Sequence, residues 1–156
     1  MTAELGDFLR AVLDLGGRHA LPVAEEMNML DRYLAIQRIR FGEEMHVTVT
    51  VDPDAADAQV PSLVLQPLVE NAIHHGIRAR QGSGRIWVTA HRSDDTVRLC
   101  VMDNGRGPQM SGASLTRRGI GLQNVERRLR YLFERRYTLA FGRKEHAGTT
   151  VTAVTI

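Results

Sequence analysis

Up to Phe41 the apolar residues of this chain recur at helical spacing, and after Gly42 they alternate. This change of period constrains the fold more than any other feature, because a pattern with a period of about 3.6 cannot lie flat in a sheet and a pattern of two cannot wrap a helix. Residues 3–15 place apolar side chains at Leu5, Phe8, Leu9, Val12, Leu13 and Leu15, and Gly16 and Gly17 stop that helix. Pro22 opens a second helix that continues to Phe41. Its stripe is Val23, Met27, Leu30, Leu34 and Phe41, widened by Met29, Tyr33 and Ile36. So short a link predicts an antiparallel hairpin whose wide apolar surface meets another copy or another segment.

Beyond Gly42, "MHVTVTV" (45–51) reads as a strand with Met45, Val47, Val49 and Val51 on one face, and "DPDAADAQVP" as a loop. A helix is predicted from Ser62 to about Ile77. Residues 85–91 and 96–102 form strands joined by "RSDD", and 103–112 a glycine-rich loop. Residues 121–134 form a helix, followed by strands at 137–142 and 149–156. The order β-α-β-β-loop-α-β-β predicts an α/β two-layer sandwich: a mixed, mostly antiparallel sheet with helices on one face, preceded by a short helical hairpin. The expected division is 1–41 for the hairpin and 42–156 for the sandwich.

The 156 residues are 43% hydrophobic and 24% charged, which fits a soluble globular protein. No apolar run approaches the ~18 residues of a membrane span, and no signal-peptide plan opens the chain. A reducing, cytosolic setting is expected. Cys100, the only cysteine, excludes an intrachain disulfide and a thiolate cluster, and its place in "VRLCVMD" reads as a buried strand position. The net charge of +2 is mild. The arginine-rich run 126–136 spreads its charge at helical spacing around Leu129, Leu132 and Phe133, so it reads as a solvated helix face rather than a nucleic-acid surface.

Four stretches carry chemistry. In "LVENAIHHG" (68–76), Glu70, Asn71, His74 and His75 crowd adjacent turns. Two imidazoles and a carboxylate admit a zinc reading. Adjacent histidines diverge by about 100° around a helix, however, and nothing else completes a ligand set. "DNGRG" (103–107) sets Asp103 at a strand end before Gly105 and Gly107, either the floor of a pocket or an Asn-Gly hairpin turn. "RRGIGLQNVERRL" (117–129) places Gly119 and Gly121 before a helix, whose free N–H groups favour an anion. "GTT" (148–150) opens the last strand. No GxxxxGK[ST] is present, and the Gly-x-Gly does not follow a strand as a dinucleotide fingerprint does.

In combination and in this order, the stretches resemble the ATP-binding fold shared by histidine kinases, type II topoisomerases, the chaperone Hsp90 and the mismatch-repair MutL proteins, the Bergerat-type fold. The wording "YLAIQRIRFGEEM", "VPSLVLQPLVENAIHHGI" and "GIGLQNVERRL" looks like the LytS/YehU-type sensor histidine kinases, from about Phe8 to Ile156. The resemblance implies that Asn71 holds the Mg²⁺ bridging the ATP phosphates, with Glu70 beside that ion. It implies that Asp103 accepts the adenine amino group, helped by Thr149, while Gly105 and Gly107 let the backbone wrap the base. Gly119, Gly121 and Leu122 would open a helix N-terminus to the phosphates. These assignments agree with the residue types, since a hard cation takes oxygen ligands and anions favour N-terminal amides.

The chain departs from the family in three places. His74 stands where the family usually has a lysine, and a neutral imidazole offers a phosphate only one N–H; Arg78, Arg117 or Arg118 are alternative sources of charge. The stretch "PQMSGASLTRR" between the glycine loops is short, which implies a small lid over ATP. A phosphoacceptor motif like "PHFLFN" is absent, so the chain reads as a fragment beginning in the tail of the dimerising hairpin, and His19 is not promoted to acceptor.

The resemblance thus implies a histidine kinase catalytic domain that binds Mg-ATP and passes the γ-phosphoryl group to a histidine outside this chain, from which a response regulator takes it. Glu70, Asn71 and His74 are its expected catalytic residues, residues 1–41 a possible homodimer contact, and the cytosolic end of a membrane-anchored sensor its setting. The alternatives are an ATP-gated clamp and a regulatory binding module without kinase activity. Clamp ATPases place a glutamate one helical turn before the asparagine, where this chain has Pro67, which cannot act as a base.

Overall fold

Gly16 and Gly17, at φ +54° and +82°, end the first helix in a backbone conformation that side chains resist. The structure is a computed structural model that describes residues 2–74, 83–105, 120–144 and 149–156. Helix α1 (Thr2–Asp14) leads through strand β1 (Ala20–Pro22) into α2 (Val23–Phe41). Strands β2 (Met45–Val51) and β3 (Gln59–Pro61) precede α3 (Leu65–Ala72). Strands β4 (Gly84–Ser93) and β5 (Thr96–Asp103) form a hairpin, and α4 (Ile120–Phe133), β6 (Thr138–Lys144) and β7 (Thr149–Thr155) complete the order.

The main sheet runs β2-β4-β5-β7-β6, with β2 parallel to β4 and every other pair antiparallel. This is the mixed, mostly antiparallel sheet that the sequence predicts. Its core face is covered by helices: Ile86, Val88, Leu99, Val101 and Val154 share one buried cluster with Leu65, Leu68 and Val69 of α3 and with Leu122, Val125 and Leu129 of α4.

Helix α2 belongs to that same cluster through Val23, Leu30, Tyr33 and Leu34. It is therefore built into the core of the sandwich. Phe8 of α1 meets Tyr33 with ring centroids 6.1 Å apart, which docks the first helix on the second. The expected hairpin thus exists, with one of its arms serving as a core element.

Three local features depart from the sequence reading. The expected link and loop contain β1 and β3, which pair antiparallel as a separate two-stranded sheet. The helix expected from Ser62 starts at Leu65, after a turn in which Leu63 takes φ +56°, and it widens past Ala72 into a π-type turn through Ile73 and His74. Strand β2 sits at the sheet edge, so its alternation is only partly used: Met45 is buried, whereas Val49 is exposed.

Candidate functional site

Asp103 ends β5 in the middle of the sheet, on the face that carries Val97, Leu99 and Val101, and only 4% of it is exposed. Its Oδ1 accepts the Gly105 N–H at 2.9 Å, which turns the chain sharply away from the sheet. Asn104 secures the same corner: its Oδ1 accepts the Arg85 N–H at 2.8 Å, and its own N–H donates to the Arg85 carbonyl at 3.1 Å. That side chain extends the β4–β5 ladder by one rung, a role the sequence reading does not assign.

Across the ladder, Asp103 stands opposite Thr150 of β7. Directly paired residues of antiparallel strands point to the same face, so the hydroxyl sharing Asp103's face is that of Thr150. Thr149, the residue singled out from the sequence, alternates to the opposite face and is half-buried. Thr150 is 2% exposed, and among the described residues its Oγ1 is the buried side-chain polar atom that finds no hydrogen-bond partner. Buried hydroxyls are nearly always paired, so an unpaired one beside a buried carboxylate marks a polar floor suited to a hydrogen-bonding ligand.

Helix α3 lies against β5 and α4 and carries the second group of residues. Glu70 Oε1 accepts from Gln66 Nε2 at 2.9 Å, one turn earlier. Glu70 and His74 line a cavity of about 310 Å³ together with Ile73 and with Tyr33, Gln37, Arg40 and Phe41 of α2. Asn71 is half-buried and is not among the residues lining that cavity. The structure therefore groups Glu70 with His74, facing α2, and sets Asn71 about 100° around the helix from Glu70. His74 itself is exposed, which leaves its imidazole accessible to a ligand.

Gly121, the second described residue of α4, lies beside α3: a Cβ built on it would lie 3.4 Å from the Cβ of Pro67. Pro67, expected only to rule out a base, thus lies against the start of α4. Leu122 is 4% exposed and packs in the core, so only its backbone can face a ligand. Gly107, Gly119, Arg78, Arg117 and Arg118 lie outside the described residues.

The residue that the sequence reading missed is Glu26 of α2, 1% exposed. Its Oε2 accepts the Leu63 N–H at 2.8 Å and its Oε1 the Leu65 N–H at 2.9 Å, capping α3 from 39 positions upstream. Burial pushes its carboxyl above the ordinary 4.5, against the pull of the Leu65, Leu63 and Val64 N–H groups and the Arg128 guanidinium. In the sequence it is one of two adjacent glutamates in a helix, and no local signal distinguishes it from a surface charge.

Comparison with known proteins adds an independent line. The family model described as "Histidine kinase-, DNA gyrase B-, and HSP90-like ATPase" matches residues 56–156, and that described as "Histidine kinase" matches residues 1–45. Sensor protein LytS of Staphylococcus haemolyticus is 32% identical over 157 residues, covering 95% of this chain and 27% of that protein. Sensor histidine kinase YpdA of Escherichia coli is 31% identical over 136 residues, covering 83% of this chain and 24% of that protein. The chain spans about a quarter of the length of these curated relatives. Among solved structures, histidine kinase AdeS of Acinetobacter baumannii superposes with a TM-score of 0.67 at 14% identity, over 99% of this chain and 77% of that one. The histidine kinase domain of a blue-light activated kinase from Erythrobacter litoralis gives 0.65 at 22% identity, over 87% and 65%. At these identities the likeness is one of fold.

Proposed function

Because the chain belongs to the histidine kinase-, DNA gyrase B- and HSP90-like ATPase family, we propose that it works as the catalytic domain of a two-component sensor kinase. In this reading it binds Mg-ATP and hands the γ-phosphoryl group to a histidine outside its own sequence. The observation that carries the reading is the polar floor at the sheet end, where the buried Asp103 carboxylate stands beside the Thr150 hydroxyl that no described residue satisfies. A carboxylate there accepts the adenine amino group, and a hydroxyl on the same face completes the contact directly or through water. In this assignment Thr150 takes the place that the sequence reading gave to Thr149.

The remaining roles follow from the helices. Asn71 offers an oxygen atom of the kind a hard cation prefers, so it would hold Mg²⁺, with Glu70 beside it in the chain but turned toward α2; the ion would supply charge neutralisation on the phosphate oxygens. The first turn of α4, with Gly121 and the backbone of Leu122, directs N–H groups at the phosphates, and His74 donates one N–H. The chain's part in the chemistry is then positioning. In the transfer, the bond between the γ-phosphorus and the bridging oxygen breaks, a bond to an imidazole nitrogen forms, and ADP leaves with the electron pair. The phosphohistidine passes its group to the aspartate of a response regulator.

Residues 1–41 would join this domain to the phosphoacceptor helices and contribute to a homodimer. Among the described residues no helix is long and apolar enough to cross a membrane. In this reading the chain is the cytosolic end of a membrane-anchored sensor.

Calorimetric titration with ATP, with and without Mg²⁺, tests the proposal. Saturable binding that tightens with the cation is expected. No ATP binding at millimolar ligand would leave the regulatory module, which has lost its nucleotide, as the better account.

A further inference from the structure

Helix α3 begins without a cap of its own. Val64 at its N-cap position makes no side-chain hydrogen bond, and Pro67 in its first turn has no N–H. A serine or aspartate at the cap would satisfy the orphan donors while staying near solvent. Instead the chain buries a carboxylate, Glu26, brought from α2. Burying a charge is unfavourable, and Leu63 is held at φ +56°, a strained conformation for a leucine that persists only when its surroundings impose it. A device that costs stability twice, where a cheaper one exists, is explained by what else it fixes.

It fixes the junction of three helices. The turn at 62–65 takes two hydrogen bonds from Glu26. The Ser62 N–H donates to the His19 carbonyl at 3.0 Å, and the Ser62 carbonyl accepts from Arg128 Nη1 of α4 at 2.7 Å. At the other end of α3, Ile73 shares the buried cluster with Tyr33 of α2, and Glu70, Ile73 and His74 line one cavity with Tyr33, Gln37 and Arg40. Glu26, Tyr33, Gln37 and Arg40 are spaced by seven, four and three residues, which places them along one face of α2. One face of α2 therefore holds the start of α3 by hydrogen bonds and borders its far end.

We propose that Glu26 is a positioning residue for phosphoryl transfer: by clamping the first turn of α3 to α2, it sets the axial position of Asn71 and Glu70 relative to the Asp103 floor. The proposal rests on the nucleotide reading above. A movement of α2 along its axis is passed through Glu26 to the cation end of the site while leaving the adenine end, which is built from β5 and β7, in place.

The two ends can be read separately. In the 156-residue chain, Glu26→Gln keeps shape and one acceptor oxygen but replaces the other with a donor facing an N–H. It is expected to weaken Mg-ATP binding about tenfold, the order for losing one contact to a charged group. Adenosine affinity should stay within about twofold, because its contacts lie on the sheet. Asn71→Ala should then cost less in the Glu26→Gln background than in the wild type, since the displaced amide has already lost its grip. A purely structural Glu26 would lower the melting temperature without changing the ratio of Mg-ATP to adenosine affinity. An unchanged ratio, or an Asn71→Ala cost equal in both backgrounds, overturns the proposal. If Glu26→Gln does not fold, Glu26→Asp, which keeps the charge and shortens the reach, goes through the same titrations with the same expectations. A wild-type chain that binds neither ligand overturns the nucleotide reading, and this inference with it.

Discussion

Asp103 performs two tasks that a single substitution separates. Its Oδ1 holds the Gly105 N–H, and an asparagine in its place still accepts that bond, so Asp103→Asn should keep the fold. Its contribution to adenine requires an acceptor where asparagine offers an amide N–H. ATP affinity in Asp103→Asn is therefore expected to fall by about ten- to a hundredfold, the loss of one hydrogen bond to a charged group at ~1.5–3 kcal/mol. Identical ATP and GTP affinities in variant and wild type would overturn the adenine assignment. Thr150 gives the complementary case. Its unpaired hydroxyl contributes nothing to the folded chain, so Thr150→Val should leave stability unchanged or raise it by up to about 1 kcal/mol. The same change should weaken ATP binding, whereas Thr149→Val should not. Chemical denaturation and calorimetry on the two variants decide between the adjacent threonines.

At the scale of elements, the cap on α3 makes stability depend on pH in a definite direction. Burial raises the Glu26 carboxyl above 4.5, so the folded chain holds that proton more tightly than the unfolded one. By linkage, the Glu26 contribution is most favourable below 4.5 and is lost as pH rises through the raised folded value. The stability of the wild type relative to Glu26→Gln should thus be greater near pH 4 than near pH 8, measured by urea midpoints, while other titrating groups cancel in the difference. A difference constant with pH would show that the carboxylate is not desolvated as its burial implies. The contact between Gly121 and Pro67 supports another expectation. A methyl at 3.4 Å fits as an ordinary contact, and alanine favours helix by about 1 kcal/mol, so Gly121→Ala should be neutral or stabilising. If the backbone there serves phosphates, the same variant should lose Mg-ATP affinity. Unchanged binding would make the glycine a packing residue alone.

The same elements show what was legible in the sequence. Helices α1 and α2, the β4–β5 hairpin and the main strands were read from period and turn residues, because their patterns are local and long. The β1–β3 sheet was not, since three-residue strands carry no period. The start of α3 was misplaced because its cap arrives from 39 residues away. In the site, the order of Asn71, Asp103, the glycine loops and the last strand was readable. Which threonine faces Asp103 was not, because two adjacent hydroxyls differ only in register, and register is set by the partner strand.

For the whole molecule, the place of α2 in the core matters more than where a boundary is drawn. Val23, Leu30, Tyr33 and Leu34 are buried with residues of both layers. Removing them forfeits on the order of 6–12 kcal/mol at ~1.5–3 kcal/mol per side chain, comparable to the whole stability of a domain at ~5–15 kcal/mol. The segment 42–156 alone is expected to lack a cooperative thermal transition by circular dichroism, and a sharp transition would show that α2 is dispensable. The sheet order carries a kinetic consequence of its own. Strand β7 lies between β5 and β6, and among the described residues β6 pairs with no other strand. The strand that follows all the others in order is thus an interior one. Until it arrives, β5 presents a bare ladder edge beside its hydrophobic face and β6 belongs to nothing, the condition in which strands recruit the wrong neighbour. During synthesis the sheet must wait with its middle open, and residues 149–155 are the piece that closes it.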